Sequence, residues 1–409
     1  MKYLIVVPDG AADRAIESLG GKTPLFASNM EYTDNLAAQG EVGTVQTVPE
    51  GIPPGSDAAN LSVMGYGPEE YLTGRAPLEA ASMGIEMSEK DVAYRANIIT
   101  LEGDGPYESL IIKDHSSGDI STEEADELIK AVNQEFANEK MRFYTGVSYR
   151  HCLIVKDGRT EYDLTPPHDV LGGLAGDNMP QGEGSGFITH MMKRSYEILK
   201  NHPVNMKRIE KGLNPANSLW IWGHGKKPAI PSFYEKYKIT GSTISAVDLI
   251  KGIGVCAGLE SIYVPGATGT LHTNYEGKAN AAINEFEKGK DFVYIHIEAP
   301  DECSHQGDLS GKVQSLEFID RRIVKPVVEY LKGSGGDFKA MIIPDHRTPL
   351  CIRTHSAEPV PFVIYDSTKR LAPDKTRAFT EESGEKGRFF ETGVALADYF
   401  FKAGGPARP

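Results

Sequence analysis

The sequence predicts an α/β fold with a mostly parallel sheet, because short apolar strands alternate with helices at both ends of the chain. The strand candidates carry little polar alternation and are bounded by turn residues, which is typical of strands buried on both faces. They lie at residues 3–7, 219–222, 262–264, 292–297, 341–343 and 362–365. Helical patterns lie between them at 244–250, 279–287 and 316–331. Strands and helices that take turns in this way predict a layered domain with right-handed crossovers.

The middle of the chain has a different pattern, which predicts a smaller α+β domain inserted into the larger one. Its helix opens with a capping box at Ser121 and Glu124. The strands around that helix alternate like half-exposed strands and are predicted at 94–100, 107–113, 141–145 and 151–155. We therefore expect a discontinuous core domain, residues 1–90 and 185–409, and an inserted substrate or lid domain at 91–184.

The composition argues against several classes of protein. Lys and Arg total 43 against 57 Asp and Glu, and a formal charge of −14 does not suit a nucleic-acid binder. The four cysteines are scattered without CxxC spacing, so reduced thiols are a better interpretation than a disulfide framework or a thiolate zinc site. No stretch approaches the roughly 18–20 apolar residues that span a bilayer. We expect a cytoplasmic protein that binds neither nucleic acid nor membrane, and the sequence leaves its oligomeric state open.

Carboxylate and imidazole side chains follow the predicted core strands in four short segments. These segments are 7–10, 298–305, 343–346 and 353–356. In an open α/β sheet, ligands bind beyond the carboxyl ends of the strands, so residues far apart in the chain converge there. Mixed carboxylate and imidazole donors suit ions such as Mn²⁺ or Zn²⁺. Each segment alone is better explained by a turn or a solvated surface, so the prediction of a metal site depends on the four together.

A fifth segment, residues 51–61, predicts a nucleophile at the start of a helix. Pro and Gly interrupt the chain up to Gly55, and Ser56 then stands where the helix begins. One interpretation is that Ser56 is a plain N-cap. The other is that its hydroxyl accepts a phosphoryl group, because a helix N-terminus stabilises an alkoxide and an attached phosphate. A metal bound to the hydroxyl would lower its pKa enough for attack on phosphorus. The two interpretations are compatible.

These segments resemble those of the alkaline phosphatase superfamily and, more narrowly, the cofactor-independent phosphoglycerate mutases of the archaeal type. The resemblance covers nearly the whole chain and implies an alkaline-phosphatase-like layered core with an inserted domain. Its strongest points are Pro8-Asp9-Gly10, Pro54-Gly55-Ser56-Asp57, Trp222-Gly223-His224-Gly225, the DxxxH pattern of 301–305, and Pro344-Asp345-His346.

The resemblance implies two divalent metal sites and a covalent mechanism. Manganese is the implied ion, with cobalt, magnesium or zinc as substitutes, and no bisphosphoglycerate is required. In the implied reaction Ser56 takes the phosphoryl group of 3-phosphoglycerate, and the other hydroxyl of the reoriented glycerate takes it back to give 2-phosphoglycerate. The implied partner is therefore a small phosphorylated substrate. The implied ligands are Asp301, His305 and His355 for one metal, and Asp9, Ser56, Asp345 and His346 for the other.

The implied chemistry also requires groups that bind the substrate. The carboxylate of the glycerate needs cationic partners, and an acid/base group must serve the leaving and incoming hydroxyls. Taken singly, each candidate is better explained as a solvated charge. The candidates are Arg75, Arg95, His115, Arg150, His151, Asp169 and Lys226.

Other functions share the same residues. A phosphatase, sulfatase or phosphodiesterase would use the same metal ligands and Ser56 but would pass the group to water. The inserted domain favours a mutase or a phosphopentomutase-like phosphotransferase, because a lid that excludes water prevents hydrolysis. A non-catalytic protein that binds a phosphorylated ligand would be expected to have lost part of the ligand set, whereas all seven implied positions are present.

Overall fold

A computed structural model describes residues 1–369 and 372–402 of the chain. The chain forms two compact units, one of Met1–Leu72 together with the chain from Ile230 onward, and one of Thr73–Ala229. The strands are β1 (Lys2–Pro8), β2 (Glu41–Val45), β3 (Val92–Glu102), β4 (Ile111–Asp114), β5 (Met141–Tyr144), β6 (Arg150–Val155), β7 (Ser218–Lys226), β8 (Gly241–Ile244), β9 (Glu260–Ser261), β10 (Phe292–Ile297), β11 (Phe338–Ile342), β12 (Val360–Asp366) and β13 (Arg388–Phe390).

The helices fill the connections between these strands. They are α1 (Pro24–Ala27), α2 (Glu31–Gln39), α3 (Ser56–Val63), α4 (Pro68–Tyr71), α5 (Arg75–Ser82), α6 (Thr122–Phe136), α7 (Gly186–Leu199), α8 (Pro203–Glu210), α9 (Phe233–Tyr237), α10 (Asp248–Cys256), α11 (Tyr275–Glu287), α12 (Ala299–Gln306), α13 (Leu309–Ile319), α14 (Lys325–Gly333), α15 (Glu381–Glu385) and α16 (Gly393–Lys402). A π-helical turn, Asp320–Val324, joins α13 to α14. Short 3₁₀ turns lie at Glu17–Leu19, Tyr107–Ser109, Pro167–Val170 and Gly176–Asn178. Within the described residues, no helix is both long enough and apolar enough to cross a membrane.

The first unit is built on an eight-stranded sheet with the order β13-β2-β12-β11-β1-β10-β8-β9. Strand β12 is antiparallel to both of its neighbours, and the other pairs are parallel. Residues Leu4 to Val7 of β1 have no exposed surface, as expected for a strand with helices on both faces. The predicted α/β class with a mostly parallel sheet is therefore confirmed.

The three central strands bring distant parts of the chain to one edge of this sheet. Strand β1 lies between β10 and β11 and is parallel to both, with Pro8 opposite Ile297 and Val6 opposite Ile342. Because parallel strands end at the same edge, the residues that follow β1, β10 and β11 meet there.

Two elements near β8 differ from the prediction. The prediction of a helix at 244–250 is wrong, because β8 ends at Ile244 and α10 begins only at Asp248. The strand expected at 262–264 is instead the two-residue β9. Strand β8 does not form a continuous apolar run, because its buried positions include Ser242. The Ser242 hydroxyl donates to Glu285 Oε2 at 2.7 Å.

The second unit contains an antiparallel sheet with the order β4-β3-β6-β5, in which β7 also pairs with β3. Helices α6 and α7 pack against each other, and α7 packs on β7. The apolar segment 219–222, expected in the parallel sheet, lies in β7, where Leu219 is opposite Ile98. That expectation was wrong because an apolar run does not reveal which sheet will cover it.

The pairing of β7 with β3 makes the second unit larger than the predicted insert. Helix α5 packs on both β3 and β7, so the segment before residue 91 belongs with them. The predicted range 91–184 lies inside the unit, which spans Thr73–Ala229.

Candidate functional site

A buried group of Asp9, Asp345 and His346 lies at the carboxyl ends of β1 and β11 in the first unit. Each residue offers a ligand atom, and the three atoms lie within 4.8 Å of one another. The Asp345 carboxylate accepts hydrogen bonds from the backbone N–H of Gly10 at 3.2 Å and from Asn60 Nδ2 at 2.8 Å. These donors hold Asp345 in place while the group as a whole remains rich in negative charge.

A second group lies beside the first and consists of Asp301, His346 and His355, whose ligand atoms also fall within 4.8 Å. Helix α12 starts directly after β10 and places His305 one turn beyond Asp301, on the same helix face. His305 Nε2 lies 3.1 Å from Asp301 Oδ2 and 3.1 Å from His355 Nε2. The structure therefore brings together the six carboxylate and imidazole residues expected from the sequence.

Ser56 is the first residue of α3 and contacts the same cluster. Its Oγ lies 3.1 Å from His346 Nε2. The N-cap residue of α3 is Gly55, and no side chain caps the helix. The interpretation of Ser56 as a plain N-cap is therefore wrong, and the hydroxyl is instead directed at the histidine.

The electrostatics of the cluster suit bound cations. Burial, together with the charges of Asp345 and Asp301, raises the pKa of Asp9 well above its usual range. Burial opposes ionisation of Asp301 too, but hydrogen bonds from His305 and His355 hold its pKa well below the usual range. Asp9 Oδ1 is buried and has no hydrogen-bond partner within the described part of the chain. Crowded carboxylates, neighbouring imidazoles and an unsatisfied oxygen form a donor set that fits divalent metal ions.

Three residues near the cluster were not among the candidates identified from the sequence. Asn60 lies one turn after Ser56 on α3, and Thr348 lies two residues after His346. His296 interrupts the apolar strand β10, and its Nε2 lies 3.1 Å from Asp9 Oδ2. A buried histidine within an apolar run, and an amide four residues after a candidate nucleophile, are signals that could have identified two of the three.

The second unit contains an arginine group, Arg75, Arg95 and Arg150, of which Arg95 lies over the ring of Trp222. The guanidinium of Arg95 lies 4.3 Å from the Trp222 ring, and Arg95 Nε lies 3.0 Å from Glu79 Oε2. Burial lowers the pKa of Arg95; Glu79 opposes this shift, and the positive charges of Arg75 and Arg150 add to it. Three arginines expected to bind substrate therefore lie close together in one unit.

Two histidines extend the arginine group. The His115 ring lies 5.7 Å from Tyr149 and 6.0 Å from the ring of His168. The His168 ring in turn lies 5.2 Å from Trp222. Asp169, with its side chain mostly exposed, lies 3.6 Å from His168 Nε2. His168 was not among the candidates in the sequence, although it stands next to one of them.

Two candidates do not join this group. His151 follows Arg150 on β6 and so points to the opposite face of the sheet. It is buried, its Nδ1 accepts a hydrogen bond from the backbone N–H of Gly146 at 3.1 Å, and burial lowers its pKa to about 3. Lys226 is exposed at the end of β7.

Comparison with known proteins gives the family. The family model of 2,3-bisphosphoglycerate-independent phosphoglycerate mutase matches residues 37–205. The mutase of that name from Methanosarcina barkeri is 48% identical over 95% of this chain and 96% of its own length. A probable mutase from Geobacter sulfurreducens is 47% identical over 89% of this chain and 90% of its own.

Solved structures agree with these relatives. The cofactor-independent phosphoglycerate mutase from Thermoplasma acidophilum has a TM-score of 0.67 and 27% identity, covering 99% of this chain and 100% of that one. A protein from Pyrococcus horikoshii has a TM-score of 0.82 and 27% identity, covering 100% of this chain and 99% of its own. The chain therefore belongs to the family of 2,3-bisphosphoglycerate-independent phosphoglycerate mutases.

Proposed function

We propose that this phosphoglycerate mutase interconverts 3-phosphoglycerate and 2-phosphoglycerate through a phosphoserine at Ser56. The observation that carries the proposal is the 3.1 Å separation of Ser56 Oγ and His346 Nε2 within a buried cluster of carboxylates and imidazoles. A serine hydroxyl attacks phosphorus only when it is activated. Ser56 combines the first position of α3 with direct contact to this cluster.

The residues around Ser56 orient and stabilise its oxygen. Burial lowers the pKa of His346, so its imidazole is neutral near neutral pH and offers one nitrogen lone pair. In the metal-free protein the Ser56 hydroxyl can donate to that lone pair, and a bound cation would take it instead. The N–H groups of the first turn of α3 provide partial positive charge for a phosphate attached to Ser56. These contacts favour both the attacking oxygen and the phosphoserine.

Two divalent cations are proposed to bind at the cluster. When bound, they would lower the pKa of the serine hydroxyl and neutralise charge on the phosphoryl oxygens. We propose Mn²⁺, with Co²⁺, Mg²⁺ or Zn²⁺ as substitutes, and no bisphosphoglycerate. The proposed ligands are Asp301, His305 and His355 for one ion, and Asp9, Ser56, Asp345 and His346 for the other.

The second unit is proposed to supply the contacts that hold the substrate. The positive charges of Arg75 and Arg150 both act on Arg95, and the planar guanidinium pairs well with a carboxylate or a phosphate. Stacking on Trp222 restricts the side chain of Arg95, so less side-chain entropy is lost when an anion binds. His115 and Asp169 remain candidates beside this group, whereas burial of His151 favours a structural role.

The cytoplasm is the proposed location. Cys152, Cys256, Cys303 and Cys351 are all free thiols, and an absence of disulfides suits a reducing compartment.

A coupled enolase assay tests the activity, with 3-phosphoglycerate as substrate, Mn²⁺ present or absent, and bisphosphoglycerate rigorously excluded. We expect isomerisation without release of inorganic phosphate. Release of phosphate without isomerisation would support a phosphatase instead, and neither product would support a binding protein.

The covalent step is tested with Ser56→Ala, which should abolish turnover. Because Ser56 makes no capping hydrogen bond, the fold should lose less than the ~1 kcal/mol typical of a removed cap. The matched control is Ser62→Ala on the same helix, since Ser62 Oγ is buried without a hydrogen-bond partner. Wild-type enzyme trapped with substrate should carry phosphate on the peptide that contains Ser56. Normal turnover by Ser56→Ala would exclude the covalent mechanism.

A further inference from the structure

Thr348 lies between the two groups of candidate ligands. Its side chain is fully buried. The hydroxyl oxygen Oγ1 lies 2.5 Å from Asp301 Oδ1 and 3.2 Å from His346 Nδ1. One hydroxyl therefore contacts a residue from each proposed metal site.

The direction of these two hydrogen bonds follows from the number of hydrogens. A threonine hydroxyl has one hydrogen to donate, and an ionised carboxylate can only accept. The other oxygen of Asp301 lies 3.1 Å from His305 Nε2, as expected for an ionised carboxylate. Thr348 must then donate to Asp301 and accept from His346, so the hydrogen of the His346 ring lies on Nδ1. The Nε2 lone pair is left on the side of the ring that faces Ser56 Oγ at 3.1 Å, Asp9 Oδ1 at 3.5 Å and Asp345 Oδ2 at 3.6 Å. The two carboxylates favour hydrogen on Nε2, so the contact with Thr348 is what decides for Nδ1.

The backbone around Thr348 is fixed on both sides. Its N–H donates to the carbonyl of Ala12 at 3.2 Å, and its carbonyl accepts from Lys312 Nζ at 3.0 Å. Lys312 is itself buried and lies 2.7 Å from Asp13 Oδ2. The threonine side chain therefore projects from a segment with little freedom to move.

Gly10 has no side chain, and this leaves room for the Thr348 hydroxyl. Its φ angle is +61°, and a Cβ atom added there would lie 2.5 Å from Thr348 Oγ1 and 2.6 Å from Asp301 Oδ1. Both the left-handed backbone and the close approach favour glycine at this position. The Thr348–Asp301 contact is thus packed closely by the backbone after β1.

We propose that Thr348 is a positioning residue that holds His346 in the tautomer with hydrogen on Nδ1, so that the Nε2 lone pair is free to bind a cation beside Ser56. The relevance to catalysis rests on the proposed function, whereas the tautomer itself is a property of the metal-free protein. The hydroxyl also ties Asp301 to His346, so a change at Thr348 should affect both groups of ligands.

The tautomer is measured in metal-free protein labelled with ¹⁵N-histidine, by long-range ¹H–¹⁵N correlation at mildly alkaline pH. His346→Gln assigns the signal. We expect hydrogen on Nδ1 in the wild type and in Thr348→Ser, which keeps the hydroxyl, and a loss of this preference in the isosteric Thr348→Val. An Nε2–H tautomer in the wild type, or an unchanged Nδ1–H tautomer in Thr348→Val, would overturn the proposal. The wild-type spectrum is decisive even if a variant folds poorly.

Kinetics and cation binding then test the positioning role. Thr348→Val should lower kcat and weaken Mn²⁺ binding by about tenfold or more, the range seen when outer partners of metal ligands are lost. KM for 3-phosphoglycerate should change little, and Thr348→Ser should restore both kcat and affinity. If Ser56 is never phosphorylated, the proposed function fails, but the tautomer result stands or falls independently. Equal losses in Thr348→Ser and Thr348→Val would mean that the hydroxyl has no positioning role.

Discussion

His296 Nε2 lies 3.1 Å from Asp9 Oδ2, and both side chains are buried. The opposite ring nitrogen of His296, Nδ1, lies 3.3 Å from Ser245 Oγ. The backbone carbonyl of His296 accepts a hydrogen bond from Lys278 Nζ at 2.9 Å. The imidazole is thus held at Nδ1 and by its backbone, with Nε2 directed at one oxygen of Asp9. Among the described residues, neither His296 Nε2 nor Asp9 Oδ1 has a hydrogen-bond partner, so the pair is positioned and open to a cation.

Replacement of His296 by Phe should therefore weaken cation binding. The ring volume is kept but the contact with Asp9 is lost, so we expect Mn²⁺ affinity to fall by about tenfold to a hundredfold. Titration calorimetry on chelator-treated protein measures the change. His190→Gln is the matched control, because His190 is exposed on α7 in the second unit and contacts the ring of Phe136. Equal Mn²⁺ affinity in His296→Phe and the wild type would show that His296 does not orient Asp9.

Removal of the cations should abolish turnover and lower thermal stability. Asp9, Asp301 and Asp345 are buried close together, so their charges repel when no cation is bound. An ion that binds only the folded chain adds about 2.7 kcal/mol at a hundredfold excess over Kd. Dialysis against EDTA should lower the unfolding temperature, and Mn²⁺ should restore both stability and activity. Full activity after elemental analysis has verified metal loss would contradict a metal-dependent mechanism.

The strands that carry this cluster were predictable because burial leaves a direct mark on their sequence. The apolar runs at 3–7, 292–297 and 341–343 are uninterrupted except at His296, and the convergence of their ends follows from the parallel pairing of β1, β10 and β11. Asp9, Asp301 and Asp345 therefore came together as expected. The strand pattern and the position of the site are both predictable because each depends on short segments of the sequence.

Contacts that depend on tertiary packing were not predictable in the same way. The run at 219–222 is as apolar as β1, yet it pairs with β3 in the second unit. Strand β8 could not be recognised because its buried Ser242 breaks the apolar run. The hydrogen-bond partner of Ser242 is Glu285 on α11, far along the chain. Thr348 is an ordinary residue in sequence, and only its distances to Asp301 and His346 show its relation to the ligands.

His151 should make the second unit sensitive to acid. Burial lowers its pKa to about 3, below the value of about 6.5 expected in the unfolded chain. The unfolded state therefore binds the proton first, and stability is lost as pH falls below about 6.5 and on towards 3. Between pH 7 and about pH 5 the wild type should lose roughly 2 kcal/mol more than His151→Gln.

Fluorescence reports this unit selectively, because Trp220 and Trp222 are the only tryptophans of the chain and both lie in β7. Urea unfolding followed by their emission at the two pH values gives the free energies of unfolding. His190→Gln is the control, since His190 is exposed on α7 and should leave the wild-type pH dependence in place. The same acid sensitivity in His151→Gln would assign it to another group.

The last prediction concerns Arg150, whose Nε is buried and makes no hydrogen bond among the described residues. The positive charges of Arg150 and Arg75 both lower the pKa of Arg95. A positive group with an unused donor is suited to an anion such as the carboxylate of glycerate. Arg150→Ala should therefore lower isomerisation more than the half-reaction in which substrate phosphorylates the enzyme.

Loss of the glycerate contact should also change the fate of the phosphoryl group. If glycerate escapes before the return transfer, water takes its place and inorganic phosphate appears. The quantity to measure is the ratio of phosphate release to isomerisation, which should rise in Arg150→Ala and in His115→Ala. Arg142→Ala is the matched control, because Arg142 is an exposed arginine on the neighbouring strand β5. If the ratio in Arg150→Ala and His115→Ala stays at the level of the wild type and of Arg142→Ala, these residues do not retain the glycerate. The arginine group would then serve the stability of the second unit, and the source of water exclusion would have to be sought among the residues around Ser56.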